Sequence, residues 1–268
     1  YKHNSNKLAE FHQKLRSLKF FDPACGCGNF LVISYREMRM LELEIVRRLY
    51  KKGVAAQPRL DVVNTLLKVD VDQVYGIEIE EWPVRIAEVA MWLMDHQMNQ
   101  RVSEEFGEYF VRLPLRKSPH IRHGNALRID WNDVLPAREC THVLGNPPFV
   151  GKQFMTVGQK ADIAAIWNGV KGAGILDYVT CWYMKAVSYI QGTLVCVAFV
   201  STNSIVQGEQ TGILWSELFR RGVKIHFAHR TFKWSNEARG MAAVNHWARA
   251  FMLIASKYTD VLLKMKGE

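Results

Sequence analysis

Hydrophobic positions along this chain recur with two periods, one typical of helices and one typical of buried strands. Near the N-terminus, apolar side chains at helical spacing predict a short amphipathic helix, at Leu8, Phe11, Leu15 and Leu18. Residues 18–21 then predict a buried strand. Residues 30–52 contain neither glycine nor proline and are rich in Leu, Glu, Arg and Met, which predicts a long helix.

The same order of strand and helix continues along the rest of the chain. Further strands are predicted at residues 74–79, 120–123, 141–144, 193–200 and 223–228. Pro83 opens a helix that keeps an apolar stripe at Ile86, Val89, Ala90, Leu93 and Met94. Two more helices are predicted at residues 177–190 and 209–221. This alternation predicts an α/β fold with a mostly parallel sheet and helices on both faces.

The charge balance narrows the class of partner. The 268 residues include 35 Lys and Arg against 26 Asp and Glu, a net charge of +9, which favours a polyanion such as nucleic acid. A merely basic enzyme is the alternative. No run of about 18 apolar residues occurs, so we expect a soluble, cytoplasmic protein without a membrane partner. Five scattered cysteines match no disulfide or zinc framework, and no metal site is predicted.

A glycine-containing turn follows the first predicted strand and opens the first long helix. It runs from Asp22 to Phe30 and reads Asp-Pro-Ala-Cys-Gly-Cys-Gly-Asn-Phe. Glycines let a ligand approach the backbone, and a helix N-terminus offers free N–H groups. The Asp22 carboxylate suits a cationic or hydroxyl-bearing ligand, and Leu31 stands where a dinucleotide fingerprint has its third glycine. The turn therefore predicts a site for a nucleoside-like cofactor.

An acidic residue, Glu78, ends the next predicted strand, and its carboxylate can accept hydrogen bonds from both ribose hydroxyls of a nucleoside. Glu80 and Glu81 are rival candidates, but they lie beyond the strand and are more typical of a solvated helix start. The spacing between Gly28 and Glu78 requires extra chain, and a helical insertion is predicted at about residues 45–72.

The tetrad Asn146-Pro147-Pro148-Phe149 follows a third predicted strand. Two consecutive prolines impose a stiff, extended backbone and remove two N–H donors. The amide oxygen of Asn146 and the carbonyl oxygen of Pro147 can accept both N–H bonds of an exocyclic amino group, while Phe149 stacks on the ring. The tetrad therefore predicts a site that grips a nucleobase. A proline-stiffened loop with a buried Phe149 is the structural alternative.

Together and in this order, the three motifs resemble those of the S-adenosylmethionine-dependent amino methyltransferases of DNA. Further similar stretches, at residues 76–81, 87–93, 123–127 and 232–238, extend the resemblance across nearly the whole chain. The chain resembles the methyltransferase region of large, single-chain restriction-and-modification proteins of the MmeI-like type. This resemblance implies a Rossmann-like class I fold with a seven-stranded sheet. The motif order is that of the γ class, which is similar to adenine-N6 enzymes.

The resemblance also implies how S-adenosylmethionine would be held. Its methionine end would be lined by Asp22, Ala24, Gly26 and Asn29, and its ribose would be bound by Glu78. Asn125 stands where the family often has an Asp that accepts from the adenine amino group, and an amide oxygen accepts more weakly. Asn146 and Pro148 would also border the cofactor.

For the target base, the resemblance implies catalytic roles for Asn146, Pro147 and Phe149. A second aromatic clamp on the flipped base is implied at Phe232 or Trp234, with Trp234 slightly favoured. An aromatic side chain packed under a loop is the structural alternative for this pair. After residues 242–244 the resemblance leads us to expect an apolar strand, but residues 245–249 are polar or bulky. The final strand is therefore expected to be frayed or out of register.

The resemblance implies that residues 1–268 form one methyltransferase catalytic domain, a piece of a longer protein without its target-recognition and nuclease regions. The expected reaction is methyl transfer from S-adenosylmethionine to the N6 amino group of a flipped adenine in double-stranded DNA. Three alternatives stay open at this point. They are methylation of cytosine N4, methylation of a protein glutamine amide, and a fragment that binds cofactor or DNA without turnover.

Overall fold

The computed structural model describes residues 2–50, 67–106, 118–230 and 248–256. Its contacts divide the chain into two compact units, Tyr1–Gly124 and Asn125–Glu268. We call them unit 1 and unit 2. Among the described residues, every helix is too short or too polar to span a bilayer.

Unit 1 alternates helices and strands. Its elements are α1 (Lys2–Ser17), β1 (Phe20–Asp22), α2 (Asn29–Tyr50), β2 (Val74–Glu78), α3 (Glu81–Phe106) and β3 (His120–His123). β2 lies between β1 and β3 and pairs in parallel with both. The register aligns Asp22 with Gly76 and Glu78 with His123. Because the strands are parallel, Asp22 and Glu78 lie at the same edge of this sheet.

Buried ion pairs join the helices of unit 1. The Arg39 guanidinium is 1% exposed and donates to Asp95 Oδ1 at 2.7 Å and to Asn99 Oδ1 at 2.8 Å, which links α2 to α3. Glu42, also on α2, lies 2.9 Å from His12 Nε2 on α1 and accepts the Val69 N–H at 2.9 Å. A buried charge is tolerated only when it is paired, so these contacts fix how the helices pack.

The stripe predicted for α3 does not face the core. Ile86, Val89 and Leu93 are 49%, 49% and 57% exposed. The buried positions form the opposite face of the helix, and they are Val84, Ala87, Met91, Asp95, Met98, Asn99 and Val102. α3 therefore carries apolar side chains on two faces, and periodicity alone cannot tell which of them meets the sheet.

Unit 2 begins with irregular chain and then builds four strands and three helices in the described residues. They are β4 (His142–Gly145), α4 (Val157–Ile166), α5 (Thr180–Tyr189), β5 (Cys196–Thr202), α6 (Gln210–Arg220), β6 (Val223–Arg230) and β7 (Ala248–Ser256). β4 and β5 are parallel, whereas β7 pairs antiparallel with both β5 and β6. The final strand forms, and its pairing with β5 is irregular between Ser201 and Thr202.

One helix of unit 2 was missed in the sequence. α4 begins after Thr156, whose hydroxyl accepts the Gln159 N–H at 3.2 Å while Gln159 Oε1 accepts the Thr156 N–H at 2.9 Å. This reciprocal arrangement is a capping box, and its Thr-x-x-Gln pattern is a helix-start signal that can be read from sequence.

The α/β fold with a largely parallel sheet is confirmed. Each of the strands β1 to β5 has a parallel partner, whereas β7 pairs antiparallel with β5 and β6. In the stretch predicted as a helical insertion, α2 continues to Tyr50 and a short 3-10 turn covers Val71–Gln73. Residues 67–70 are irregular, and residues 51–66 lie outside the described residues.

Candidate active site

A buried carboxyl group, that of Asp22, ends β1. The residue is 1% exposed. Its Oδ1 accepts the Ala24 N–H at 2.9 Å, whereas its Oδ2 is buried with no hydrogen-bond partner among the described residues. Burial raises the pKa of Asp22 from its ordinary 3.8 to about 7; the Ala24 hydrogen bond opposes this rise and the Glu78 charge adds to it. An arriving cation would stabilise the ionised form.

Glu78, at the end of β2, holds the glycine turn in place. Its Oε2 accepts the Gly26 N–H at 2.9 Å, and its Oε1 accepts the Glu80 N–H at 3.1 Å. Each carboxylate oxygen can accept a second hydrogen bond, so the group keeps capacity for two hydroxyls. The rival candidates Glu80 and Glu81 are both exposed, as expected for a solvated helix start.

The two glycines of the turn differ in what surrounds them. Both have positive φ, +54° at Gly26 and +83° at Gly28. A Cβ atom at Gly28 would lie 3.0 Å from the Ala87 Cβ atom, so this glycine lets the start of α2 pack closely on α3. A Cβ atom at Gly26 would meet nothing within 4 Å. Only Gly26 therefore borders open space, in which a ligand can approach the backbone.

The other residues predicted at the methionine end lie on the same turn. Ala24 is half-buried, and Asn29 is the exposed first residue of α2. Sequence reasoning missed Ile79, which follows Glu78 directly and is 56% exposed. An exposed apolar side chain next to the Glu78 carboxylate offers a surface on which a planar ring could pack. Its position after the strand-end acid was readable in the sequence, but its exposure was not.

In unit 2, the tetrad follows β4 as irregular chain. Pro147 is buried, while Pro148 and Phe149 are exposed, Phe149 by 37%. The Oδ1 atom of Asn146 is buried and has no hydrogen-bond partner among the described residues. Just beyond the tetrad, the Val150 carbonyl oxygen accepts the Tyr178 N–H at 3.0 Å. The tetrad thus combines an acceptor that has no partner among the described residues with a partly exposed aromatic ring, and the alternative of a loop with a buried Phe149 does not describe it.

Asn125 is the first residue of unit 2 and organises a turn. Its Oδ1 accepts the Leu127 N–H at 2.9 Å, and its Nδ2 lies 3.5 Å from Asp162 Oδ2. Since a carbonyl oxygen has two lone pairs, Oδ1 can accept one more hydrogen bond. The predicted aromatic clamp residues Phe232 and Trp234 lie outside the described residues, and their role stays a prediction.

A protein-family model described as MmeI, DNA-methyltransferase domain, matches residues 1–256. Among solved structures, the type IIL restriction-modification enzyme MmeI in complex with DNA is 54% identical, with a TM-score of 0.87. That match covers 95% of this chain and 33% of the MmeI chain. The chain belongs to the MmeI DNA-methyltransferase domain family.

Two further proteins are similar to this MmeI-family chain. DNA methyltransferase A of Bacillus subtilis (strain 168) is 42% identical over 242 residues, which is 89% of this chain and 27% of the relative. A DrdV–DNA complex shares 14% identity with a TM-score of 0.53, which shows the fold alone. The chain thus spans about a quarter to a third of the length of MmeI and DNA methyltransferase A.

The glycine turn of this MmeI-family chain allows a matched pair of substitutions. Gly28→Ala is expected to lower the free energy of unfolding by about 1–3 kcal/mol, because its methyl group overlaps Ala87 at a positive φ. Gly26→Ala meets no neighbouring atom, so it should cost only the strain of φ +54°. Urea denaturation of both variants measures the difference. Equal losses for the two variants would contradict the close packing at Gly28.

Proposed function

We propose that the chain transfers a methyl group from S-adenosylmethionine to the N6 amino group of a flipped adenine in double-stranded DNA. Asp22, Gly26 and Glu78 would hold the cofactor, and the tetrad would hold the base. The single observation that carries the proposal is the Oδ1 atom of Asn146, which is buried and has no hydrogen-bond partner among the described residues.

An unpaired buried acceptor is costly. Leaving an amide oxygen buried without a partner costs about 1–3 kcal/mol, and such atoms are rare in folded proteins. The cost is explained if a ligand provides the missing donor. An exocyclic amino group offers two N–H donors, one for Asn146 Oδ1 and one for the carbonyl oxygen of Pro147. The Phe149 ring, 37% exposed, is open to stack on the base.

These contacts would prepare the nitrogen of the amino group to attack the methyl group of the cofactor. In a free nucleobase the nitrogen lone pair is delocalised into the ring. Two acceptors that hold both N–H bonds orient the group and favour a lone pair that points toward the methyl donor. Stacking on Phe149 would replace the stacking that the flipped base loses in the duplex. S-Adenosylmethionine, when bound, supplies a methyl group activated by its positively charged sulfur.

The residues of unit 1 fit this cofactor. The unpaired Oδ2 atom of Asp22 suits the ammonium group of the methionine part, since a cation would compensate the buried carboxylate. Glu78 retains acceptor capacity for the ribose hydroxyls, and Gly26 leaves room for close approach to the backbone. Ala24 and Asn29 lie on the same turn as these groups.

The surface that follows the tetrad fits a polyanion. Residues 150–161 contain Lys152 and Lys160 and no acidic residue. Phe154 and Val157 in the same stretch are 75% and 87% exposed. Exposed lysines with an exposed aromatic side chain are typical of nucleic-acid-binding surfaces. This surface therefore favours DNA over a protein glutamine as the substrate. The net charge of +9 and the DNA-bound structure of the similar MmeI also support DNA as the partner.

The product identifies the reaction. We expect DNA treated with the protein and S-adenosylmethionine to contain N6-methyladenine after digestion to nucleosides and mass analysis. Asn146→Ala protein is the matched negative control. If N4-methylcytosine formed instead, the adenine proposal would be wrong and the tetrad assignment would stand. If calorimetry showed cofactor binding but no methylated nucleoside formed, the chain would act as a binding module. Choice of DNA sequence and any DNA cleavage are proposed to need residues outside these 268.

A further inference from the structure

Asn125 departs from the acid expected at its position, and the structure shows what accompanies the change. The Leu127 N–H donates to its side chain at 2.9 Å, which identifies the oxygen end of the amide. The nitrogen end therefore faces Asp162, with Nδ2 3.5 Å from Oδ2. This is a long contact at the limit of a hydrogen bond, but the donor and the acceptor are unambiguous.

Asp162, on α4, is held by two further donors. It is 7% exposed, and its Oδ2 accepts the Tyr178 hydroxyl at 2.8 Å. Its Oδ1 accepts from Arg128 Nε at 3.1 Å. Burial and the hydrogen bond to Asp162 raise the pKa of Tyr178 above its ordinary value, so the hydroxyl remains a donor at neutral pH. Arg128, Tyr178 and Asn125 thus converge on one buried carboxylate.

A carboxylate that accepts from an amide changes that amide in two ways. It prevents the amide from flipping, because Nδ2 and not Oδ1 must face the negative charge. It also polarises the group and places more negative charge on Oδ1, since hydrogen bonds in a chain strengthen one another. Both effects improve Asn125 Oδ1 as an acceptor for an external donor.

We propose that Asp162 is a positioning residue that gives the Asn125 amide the orientation and acceptor strength that a carboxylate at position 125 would supply. Through Asn125 it would set the preference for an adenine amino group in the cofactor. This inference rests on the proposed function, because it assumes that Asn125 meets the adenine of S-adenosylmethionine. Tyr178 also donates its backbone N–H to Val150, directly after the tetrad, so the same residue supports the chain beside the base-binding loop.

The preference can be measured with two ligands whose bases differ in the exocyclic group and in the proton on the adjacent N1 atom. S-Adenosylhomocysteine carries the amino group, and S-inosylhomocysteine carries an oxygen in its place. We expect the wild-type chain to bind the adenosyl ligand at least about 10-fold more tightly in calorimetry, the value of one good hydrogen bond. Asp162→Asn should remove most of this preference. A merely structural effect would lower the affinity for both ligands equally and leave the ratio of the two affinities unchanged.

Exchanging the two side chains provides the decisive variant. Asn125→Asp alone should bind poorly, because it places two carboxylates against each other. The double variant Asn125→Asp, Asp162→Asn restores one amide and one carboxylate, and it should recover the preference for the adenosyl ligand. Tyr189→Phe is the control, since it removes a buried hydroxyl bonded to the Leu135 carbonyl oxygen at 2.6 Å without touching Asp162. Its ligand ratio should equal that of the wild type.

Each outcome separates this inference from the proposed function. Strong adenosyl binding by the wild type with an unchanged ligand ratio in Asp162→Asn overturns the role of Asp162 alone. The role of Asp162 is also overturned if the exchanged double variant does not recover the preference, provided that circular dichroism shows the wild-type fold. If the wild type binds neither ligand, the proposed cofactor site is wrong and this inference falls with it.

Discussion

Asn146→Ala is expected to lower methyl transfer to DNA by about 100- to 1,000-fold, the range found when one preorganised hydrogen-bonding group is removed from an active site. The variant loses the acceptor that would hold one N–H bond of the target amino group. Its folding should not suffer, because the Asn146 Oδ1 atom is buried without a partner in the described structure. Removing an unpaired buried acceptor is neutral or stabilising. Initial rates with labelled S-adenosylmethionine and urea denaturation measure the two effects.

Two further measurements make the Asn146 prediction specific. Calorimetry with S-adenosylmethionine should give the wild-type affinity, because the removed oxygen serves the base and not the cofactor's charged end. Asn168→Ala changes an exposed asparagine in the same unit and should keep the wild-type rate. An Asn146→Ala protein with full turnover would show that the tetrad does not hold the target amine.

Asp22→Asn is expected to lower the affinity for S-adenosylmethionine by about 10- to 100-fold, since a hydrogen bond to a charged group contributes about 1.5–3 kcal/mol. The neutral amide keeps the size of the side chain but cannot pair with the ligand ammonium. In the wild type, affinity should fall as pH drops below about 7, the pKa of Asp22, because the carboxyl group then takes up a proton. Calorimetry at pH 6 and pH 8 tests both statements.

The same substitution should stabilise the fold in alkaline solution. The folded-state pKa of Asp22 is raised from 3.8 to about 7, so the folded chain holds a proton that the unfolded chain has released. Wild-type stability therefore falls as pH rises from about 4 to about 7, by up to about 4 kcal/mol. The Asp22→Asn variant has no carboxyl group to ionise at this position, so it does not undergo this loss of stability. Urea denaturation should show a larger gain in unfolding free energy at pH 8.5 than at pH 5.

Asp130→Asn is the matched control for the pH dependence. Asp130 is exposed, and hydrogen bonds from Asn132 lower its pKa. Its stabilising contribution is present at neutral pH and is lost as pH falls through the lowered value. The variant should therefore show a small effect of the opposite sign. If Asp22→Asn were less stable than the wild type at pH 8.5, the prediction that the buried Asp22 carboxylate destabilises the fold would be wrong.

Much of the candidate site was predictable because its residues stand at the ends of strands. Asp22 and Glu78 were placed by short apolar runs followed by an acid, and parallel pairing then brings such ends to one edge. The tetrad was readable because two prolines restrict the backbone whatever surrounds them. Local sequence determines features of this kind, and the structure shows them at the predicted positions.

Features that depend on neighbours distant in the chain were not predictable. α3 offers two apolar faces, and the one that is buried contains Ala87, which is small enough for Gly28 to pack against it. The predicted stripe, with Ile86 and Leu93, lies on the other face. Pattern alone could not choose, because the choice depends on which face fits the start of α2.

By itself, the sequence determined the α/β alternation, the order of the three motifs and the residue types that the motifs present. These depend on short-range periodicity and on the restricted backbone of glycine and proline. Only the tertiary structure decided that Asp22 and Asn146 each keep a buried oxygen with no partner among the residues it describes, and that Asp162 contacts the amide nitrogen of Asn125. Burial and pairing are set by residues far away in the chain, and these properties decide whether a carboxyl or amide group is free to bind a ligand.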